Sequence, residues 1–287
     1  MTIPTPEPIG AHVSQWGEGP IWHRDRLLYV DIEAHKILSF NPLTQEEKIW
    51  GVGERVGTVV AREKGGLVWA GDHGIFLFDE VTGQSTPVAD PEPDLPENRF
   101  NDGKCDPAGR FWAGTIHLAS PRQPIAALYC LEKDLTLTKK FGNVMNSNGI
   151  VWTRDAKTMY YIDTPRKTVR AFDYDIATGA LANERIVIDT SHLEGGPDGM
   201  TIDENDSLWI AFCHAGVIRC YDTQGFQPQA EIHLPCREVT ACAFGGADLG
   251  DLYITTGIPK DNIEPLTGRL FVTRPGVKGV PAFTFGG

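Results

Sequence analysis

One stretch decides the fold of this chain: Gly196-Pro197-Asp198-Gly199-Met200. Three related stretches also place an oxygen-bearing side chain directly before a glycine: Glu18-Gly19-Pro20, Asn101-Asp102-Gly103 and Asn148-Gly149-Ile150. A single Asp-Gly or Asn-Gly pair is most often an ordinary turn. Because these stretches occupy corresponding places along the chain, they indicate an internal repeat.

Aromatic residues mark the same repeat. Each unit begins with a short apolar segment, continues through a turn of charged residues or glycine, and reaches a second segment that carries an aromatic side chain. These aromatic residues are spaced by 40, 43, 49, 48 and 44 positions: Tyr29, Trp69, Trp112, Tyr161, Trp209 and Tyr253. A period in the forties, with several short strands per unit, is typical of propeller blades.

Further segments complete each unit. Ile75-Phe76-Leu77-Phe78 and Val169-Arg170-Ala171-Phe172 are rich in aromatic and β-branched residues, and a fourth segment is clearest at Arg185-Ile186-Val187-Ile188. We therefore predict an all-β, six-bladed β-propeller with about four antiparallel strands per blade. No linker or break in composition interrupts it, so residues 1–287 are expected to form a single domain. A large β-sandwich is the alternative, but sandwiches do not repeat at this interval.

Composition limits the classes of partner. The chain has 287 residues, 41% of them apolar, and a formal net charge of −12 without any basic run, so nucleic acid and anionic membrane are not expected partners. The six cysteines form no Cys-x-x-Cys pair, the first residues do not resemble a leader, and no apolar run approaches the roughly 18 to 20 residues of a membrane span. These features predict a soluble cytoplasmic protein. They leave its oligomeric state open.

The propeller places the repeated oxygens together. In an antiparallel meander, the residues that open each innermost strand converge around the central channel at one face. Glu18, Asp102, Asn148 and Asp198 share that position in blades one, three, four and five. The equivalent stretches of blades two and six offer no carboxylate: Val56-Gly57-Thr58 and Val239-Thr240-Ala241.

Carboxylate and amide oxygens crowded in a channel repel one another and lose hydration unless a cation joins them. We therefore predict one divalent metal ion. Oxygen-only ligation favours calcium, magnesium or manganese, while iron and zinc remain open.

The motifs resemble those of the senescence marker protein, gluconolactonase and regucalcin family. The resemblance runs from about Glu18 to Gly246 and is carried by four motifs in order: Glu18-Gly19-Pro20, Arg99-Phe100-Asn101-Asp102-Gly103-Lys104 with Asp106-Pro107-Ala108-Gly109-Arg110, Ser147-Asn148-Gly149 and Pro197-Asp198-Gly199. It implies a six-bladed propeller that hydrolyses sugar lactones in carbohydrate metabolism with one divalent metal.

The same resemblance assigns roles to residues. It implies Glu18, Asn148 and Asp198 as metal ligands, and Arg99 and Asn101 as substrate-binding residues. Animal members often carry an acidic sugar contact after the position of Gly114-Thr115, where this chain has His117 instead. We predict that His117 lines the substrate pocket, and the preferred sugar, aldonic or aldaric, stays open.

The residue inventory suits lactone hydrolysis. A lactone is a cyclic ester, and a metal held by three side chains leaves positions for a water and the substrate oxygen. Asp198 is the predicted catalytic base, and Arg99 can donate in a fork to hydroxyl, carboxylate or oxyanion groups. The sequence contains neither the G-x-S-x-G nucleophile motif nor H-E-x-x-H, which disfavours a covalent serine mechanism.

Two other functions share the metal ligands. A non-enzymatic calcium-binding propeller would not need the pair Arg99 and Asn101. A phosphotriesterase would use a similarly activated water but would favour a more apolar pocket. We therefore expect a small sugar lactone as the substrate.

Overall fold

The computed structural model describes residues 3–261 and 263–287. These residues form six sheets of four antiparallel strands, and the six-bladed β-propeller predicted from the repeat is confirmed. In these described ranges the strands are accompanied by one short 3-10 helix, Thr164–Arg166. No helix within the described ranges has the length and apolar character required to cross a bilayer.

The strands follow one another along the chain as a series of meanders. In order they are β1 (Glu7–Ile9); blade one, β2 (Gly17–His23), β3 (Arg26–Asp31), β4 (Lys36–Asn41) and β5 (Glu46–Gly51); blade two, β6 (Val56–Ala61), β7 (Leu67–Gly71), β8 (Gly74–Phe78) and β9 (Ser85–Ala89); blade three, β10 (Asn98–Cys105), β11 (Phe111–His117), β12 (Ala126–Leu131) and β13 (Leu137–Val144); blade four, β14 (Ser147–Trp152), β15 (Thr158–Asp163), β16 (Thr168–Asp175) and β17 (Ala180–Asp189); blade five, β18 (Gly196–Ile202), β19 (Leu208–Cys213), β20 (Val217–Tyr221) and β21 (Pro228–His233); and blade six, β22 (Val239–Gly245), β23 (Asp251–Thr256) and β24 (Leu270–Thr273).

Blade six takes its outermost strand from the other end of the chain. Its order is β22, β23, β24 and then β1, with Glu7 opposite Val272 and Ile9 opposite Leu270. Strands from the two ends of the chain therefore close the ring, which leaves β24 paired on both sides.

The repeated aromatic residues pack between blades. All six lie on the second strand of a blade and are buried. Three of them contact an aromatic side chain on the first strand of the following blade, with centroid distances of 5.5, 5.7 and 5.8 Å: Tyr253 with Trp22, Trp112 with Trp152, and Trp209 with Phe244. The sequence period is thus the period of the blade interfaces, because these contacts bury the large apolar side chains.

Every innermost strand is interrupted at the same level. The pairing register shifts in all six blades, between Glu18 and Ile21, Val56 and Thr58, Phe100 and Gly103, Asn148 and Ile150, Pro197 and Met200, and Val239 and Ala241. A bulge redirects side chains that a regular pleat would alternate across the sheet. The polar residues of the repeated motifs lie at these bulges.

Glycines at the bulges permit close contact between neighbouring inner strands. A Cβ atom on Gly149 would lie 2.8 Å from the carbonyl oxygen of Asp198, and one on Gly199 would lie 2.3 Å from the Cβ of Ala241. Real Cβ atoms do not approach other atoms so closely, so only glycine fits at either position without a shift.

Aspartates at the ends of second strands fix the segments that lead into the channel. Asp31 accepts a hydrogen bond from the backbone N–H of Trp16 at 3.0 Å. Asp163 accepts one from the backbone N–H of Asn146 at 2.9 Å. Trp16 and Asn146 lie two residues before Glu18 and Asn148, so each hydrogen bond fixes the chain just ahead of a proposed metal ligand.

Candidate metal and substrate site

The channel end of the inner strands contains a buried group of oxygen-bearing side chains. Glu18 on β2, Asn148 on β14 and Asp198 on β18 are 4%, 2% and 6% exposed, and Asp102 on β10 is also buried. The structure therefore buries all four repeated side chains at the bulges of their strands. Buried polar groups at this density need partners to offset their lost hydration.

The carboxyl groups interact electrostatically. Burial, followed by repulsion from Asp102, raises the pKa of Glu18. Burial, followed by repulsion from Glu18 and Asp102, raises the pKa of Asp198 well above its usual range. The protein alone therefore disfavours full ionisation of this group, and a divalent cation would reverse that preference.

Lys104 supplies a cation to the group. This partly buried side chain donates a hydrogen bond from Nζ to the backbone oxygen of Met200, which joins blades three and five. Its charge lowers the pKa of both Glu18 and Asp102, while burial lowers its own pKa. Arg99 also lowers the pKa of Glu18, but the pKa values of Glu18 and Asp102 remain raised, so the two cations offset only part of the charge.

Thr164 fixes the orientation of the Asn148 amide. The Nδ2 atom of Asn148 donates to Oγ1 of Thr164 at 2.7 Å, and that hydroxyl donates to the backbone oxygen of Pro197 at 2.7 Å. Because the amide nitrogen is held by Thr164, the oxygen Oδ1 is the ligand atom that Asn148 presents elsewhere. The same threonine connects Asn148 to the residue preceding Asp198.

Asn101 connects Arg99 to this amide oxygen. Its Oδ1 atom accepts a hydrogen bond from Nη1 of Arg99 at 2.8 Å. Its Nδ2 atom donates to Oδ1 of Asn148 at 3.0 Å and to the backbone oxygen of Ser147 at 2.8 Å. Asn101 thus bridges blades three and four and holds both neighbours in place.

Arg99 keeps part of its hydrogen-bonding capacity free. Its Nη1 atom donates to the backbone oxygen of Phe100 and to Asn101, both at 2.8 Å, whereas its buried Nε atom has no partner within the described residues. Desolvation and the nearby Arg55 lower the pKa of Arg99 to about 10, which leaves it cationic at neutral pH. A buried donor without a partner is unfavourable, and an oxygen of a bound molecule would satisfy it.

His117 lies beside the part of β10 that carries Arg99. It ends β11 directly opposite Asn98, is buried, and uses Nδ1 to donate to Oδ1 of Asn98 at 2.9 Å. An amide oxygen only accepts, so Nδ1 carries the proton and Nε2 is left as an acceptor. The Nε2 atom lies 3.9 Å from Oε2 of Glu97. No hydrogen bond joins His117 to Glu18, Asn148 or Asp198 in the described part of the chain.

The donor set fits a hard divalent ion. Two carboxylates and an oriented amide oxygen are the ligand types that calcium, magnesium and manganese prefer. Their buried negative charge exceeds what Lys104 offsets.

Two contributors were missed by the sequence interpretation. Lys104 immediately follows the Asn101-Asp102-Gly103 motif, so its position on the inner strand was a usable signal. Thr164 lies in a turn after the second strand of blade four, and only its hydrogen bond to Asn148 reveals its importance.

Comparisons with known proteins agree with this architecture. A family model described as the SMP-30/Gluconolactonase/LRE-like region matches residues 16–258. Regucalcin from Danio rerio is 40% identical over 280 residues, which cover 94% of this chain and 95% of that protein. Among solved structures, a luciferin-regenerating enzyme superposes with a TM-score of 0.89 at 27% identity, covering 98% of this chain and 99% of that one. A calcium-binding protein, regucalcin, from Agrobacterium tumefaciens superposes with a TM-score of 0.92 at 25% identity, covering 99% and 97%.

Proposed function

Because the chain belongs to the SMP-30/gluconolactonase/LRE-like family, we propose that it hydrolyses an aldono- or aldaro-lactone to the free acid with one divalent metal ion. The carrying observation is that Arg99 is joined through Asn101 to Asn148, which brings a guanidinium group to the oxygen cluster. A protein that only stored a cation would not need a positively charged guanidinium linked to one of its own metal ligands.

In this proposal, Glu18, Asn148 and Asp198 hold the ion. When bound, a divalent ion provides Lewis acidity towards the lactone carbonyl and lowers the pKa of a coordinated water. The Thr164 hydroxyl accepts a hydrogen bond from the amide nitrogen of Asn148, so the amide oxygen points away from Thr164. The oxygen-only donor set favours calcium, magnesium or manganese over iron or zinc.

The remaining steps use groups of the protein. The Asp198 carboxylate accepts the proton of the attacking water and is therefore the catalytic base. As the ester C–O bond breaks, that proton passes to the ring oxygen, which leaves as a hydroxyl group of the free acid. Arg99 donates from Nε to a hydroxyl, carboxylate or carbonyl oxygen of the substrate and orients the ring. Asn101 fixes Arg99 relative to Asn148, and the free Nε2 of His117 contacts a sugar hydroxyl at the edge of the site.

The experiment is a panel of aldonic and aldaric lactones assayed by acid release. The protein is stripped with a chelator, checked by elemental analysis and circular dichroism, and then given individual divalent metals. We expect activity to vanish on stripping and to return with at least one metal, while the β-sheet spectrum is unchanged. Full activity in the metal-free protein would disprove the metal dependence.

A non-enzymatic calcium-binding propeller would use the same ligands, and the names of the regucalcin relatives favour this second function. The panel separates the two functions, because a cation store would bind metal but release no acid from any lactone. Glu18→Gln serves as the matched variant, since it should weaken metal binding under either function but alter acid release only in an enzyme.

A further inference from the structure

A second group of metal-ligating side chains lies at the junction of blades five and six. Cys213 ends β19, His214 follows it, and Glu238 directly precedes β22. The Sγ atom of Cys213 lies 3.2 Å from Oε2 of Glu238, and Nδ1 of His214 lies 2.8 Å from the same oxygen. Among the residues that the structure describes, this is the one group of at least three His, Cys, Asp or Glu residues with ligand atoms within 4.8 Å of one another.

Glu238 is buried without a lysine or arginine partner in the described residues, since no such nitrogen lies within ion-pair distance of its carboxylate there. The neighbouring Arg237 instead directs its guanidinium to the backbone oxygen of His214. A buried carboxylate is costly unless it is paired or bound to a metal. Within the described residues, the side-chain partners of this carboxylate are therefore Cys213 and His214.

A pocket gives access to the group. It has a volume of about 460 Å³ and is lined by His214 and Glu238 together with residues from blades one and six, including Trp16 and Lys260. The His214 side chain is 63% exposed, so a solvated ion reaching this pocket meets the imidazole and the carboxylate directly.

We propose that Cys213, His214 and Glu238 form a second metal site that takes a zinc-type transition metal. Thiolate and imidazole ligands select zinc or cobalt over calcium and magnesium, which prefer oxygen donors. Binding releases the thiol proton to solvent and moves the imidazole proton to Nε2, so that sulfur, nitrogen and oxygen each present a lone pair. Three protein ligands leave a fourth tetrahedral position for water or a small ligand.

The two sites are neighbours with separate ligand sets. A hydrogen bond with the Cys213 thiol lowers the pKa of Asp198, so this sulfur contacts both sets of ligands. His214 and Glu238 have no hydrogen bond to Glu18 or Asn148 in the described chain. A test must therefore distinguish Cys213 as a ligand of the second metal site from Cys213 as a ligand of the metal in the first site.

The experiment loads the stripped full-length protein with cobalt(II) alone, removes the excess and measures bound metal by elemental analysis and near-ultraviolet absorption. We expect two equivalents and a thiolate-to-cobalt charge-transfer band. Cys213→Ser, His214→Asn and Glu238→Gln should each lose one equivalent and the band. Cys220→Ser, at another buried free cysteine of blade five, should retain both. Glu18→Gln should lose the other equivalent but keep the band.

Two outcomes would overturn the proposal. Wild-type protein that binds cobalt without a thiolate band has no such site. A band that survives His214→Asn but disappears in Glu18→Gln would show that Cys213 ligates the metal of the first site. His214→Asn keeps the test decisive if Cys213→Ser fails to fold, because the mostly exposed imidazole leaves no cavity in the core when it is removed.

Discussion

The side-chain nitrogen of Asn101 donates a hydrogen bond to Oδ1 of Asn148 across 3.0 Å, and so joins blade three to blade four. The other end of the Asn101 amide accepts a hydrogen bond from Arg99. Arg99, which is proposed to bind the substrate, and Asn148, which is proposed to bind the metal, are therefore positioned by one side chain. A change at either end should alter both metal binding and substrate binding.

Thr164→Val should weaken metal binding by about 10- to 100-fold, the usual cost of losing a residue that orients a ligand. Valine keeps the shape of threonine but cannot accept from Asn148 Nδ2 or donate to the Pro197 oxygen. The Asn148 amide then loses the contact that fixes its nitrogen, and only the hydrogen bond from Asn101 to Oδ1 still orients it. Calorimetric titration of the stripped protein with calcium, magnesium and manganese measures the effect.

Thr138→Val is the matched control, because its hydroxyl also donates to a backbone oxygen but lies on β13, the outermost strand of blade three. It should bind metal like the wild type. Equal metal affinity in Thr164→Val and wild type would show that Asn148 is not oriented by Thr164, or is not a ligand.

The fold was predictable because its period is carried by single large residues. Trp112 and Tyr161 recur at the same place in successive blades because large side chains on the second strands fill the gaps between blades. Trp112 packs against Trp152 of the next blade, whereas Tyr161 packs against Phe141 of the preceding one. The closure of blade six by β1 was not predictable. Glu7–Ile9 is a short, mostly exposed segment, and its pairing with β24 joins the two ends of the chain without any local pattern.

The site was predictable where a motif marks it. Glycines beside Asn148 and Asp198 exist because neighbouring backbones approach there, so sequence alone indicates the inner bulges. Contacts from other strands leave no such mark, as Thr164 shows. Glu238 was missed because it lies just outside the predicted strand. The blade-six stretch Val239-Thr240-Ala241 lacks a carboxylate, as predicted, but Glu238 immediately before it carries a buried carboxylate.

Gly149→Ala should destabilise the protein by about 1–3 kcal/mol, the usual cost of overpacking. The added methyl group would lie 2.7 Å from the Cβ of Met200 and 2.8 Å from the Asp198 oxygen, so β18 must move outward. Asp198 then shifts relative to Asn148, and metal affinity should fall as well. Urea unfolding of the stripped protein isolates the effect on stability, and metal titration measures the second effect.

Gly51→Ala provides the comparison, because a Cβ atom there meets nothing within 4 Å. Its free energy of unfolding should stay within about 0.5 kcal/mol of the wild-type value. If Gly149→Ala proved equally neutral, the inner strands of blades four and five would not be as tightly opposed as the structure indicates.

Arg99→Lys should lower kcat/KM for the preferred lactone by about 10-fold or more, since a hydrogen bond to a charged group contributes about 1.5–3 kcal/mol. Lysine keeps the positive charge but has no Nε donor and cannot hold both Asn101 and a substrate oxygen in a fork. Steady-state kinetics at saturating metal make the measurement. Arg185→Lys, at an exposed ion pair on β17, should leave the kinetics unchanged, whereas unchanged kinetics in Arg99→Lys would remove this residue from the site.

Asp198→Asn tests charge rather than shape. With Glu18 and Asp198 ionised and Asn148 neutral, the proposed ligands carry two negative charges, and the substitution leaves one. An amide oxygen still coordinates divalent ions, so a higher metal concentration should restore occupancy. Glu18→Gln loses the same charge from the ligand set but leaves the proposed base in place, which makes it the matched variant.

Turnover at full occupancy should therefore separate the two variants. Asp198→Asn should stay depressed by roughly 10²-fold or more, the scale expected when a general base is lost, because an amide cannot accept the proton of the attacking water. Glu18→Gln should recover most of its turnover once the metal is saturating. The measurement is turnover against metal concentration, with occupancy followed separately by calorimetry. If Asp198→Asn recovered as fully as Glu18→Gln, Asp198 would be a ligand alone, and another group such as His117 would have to accept the proton.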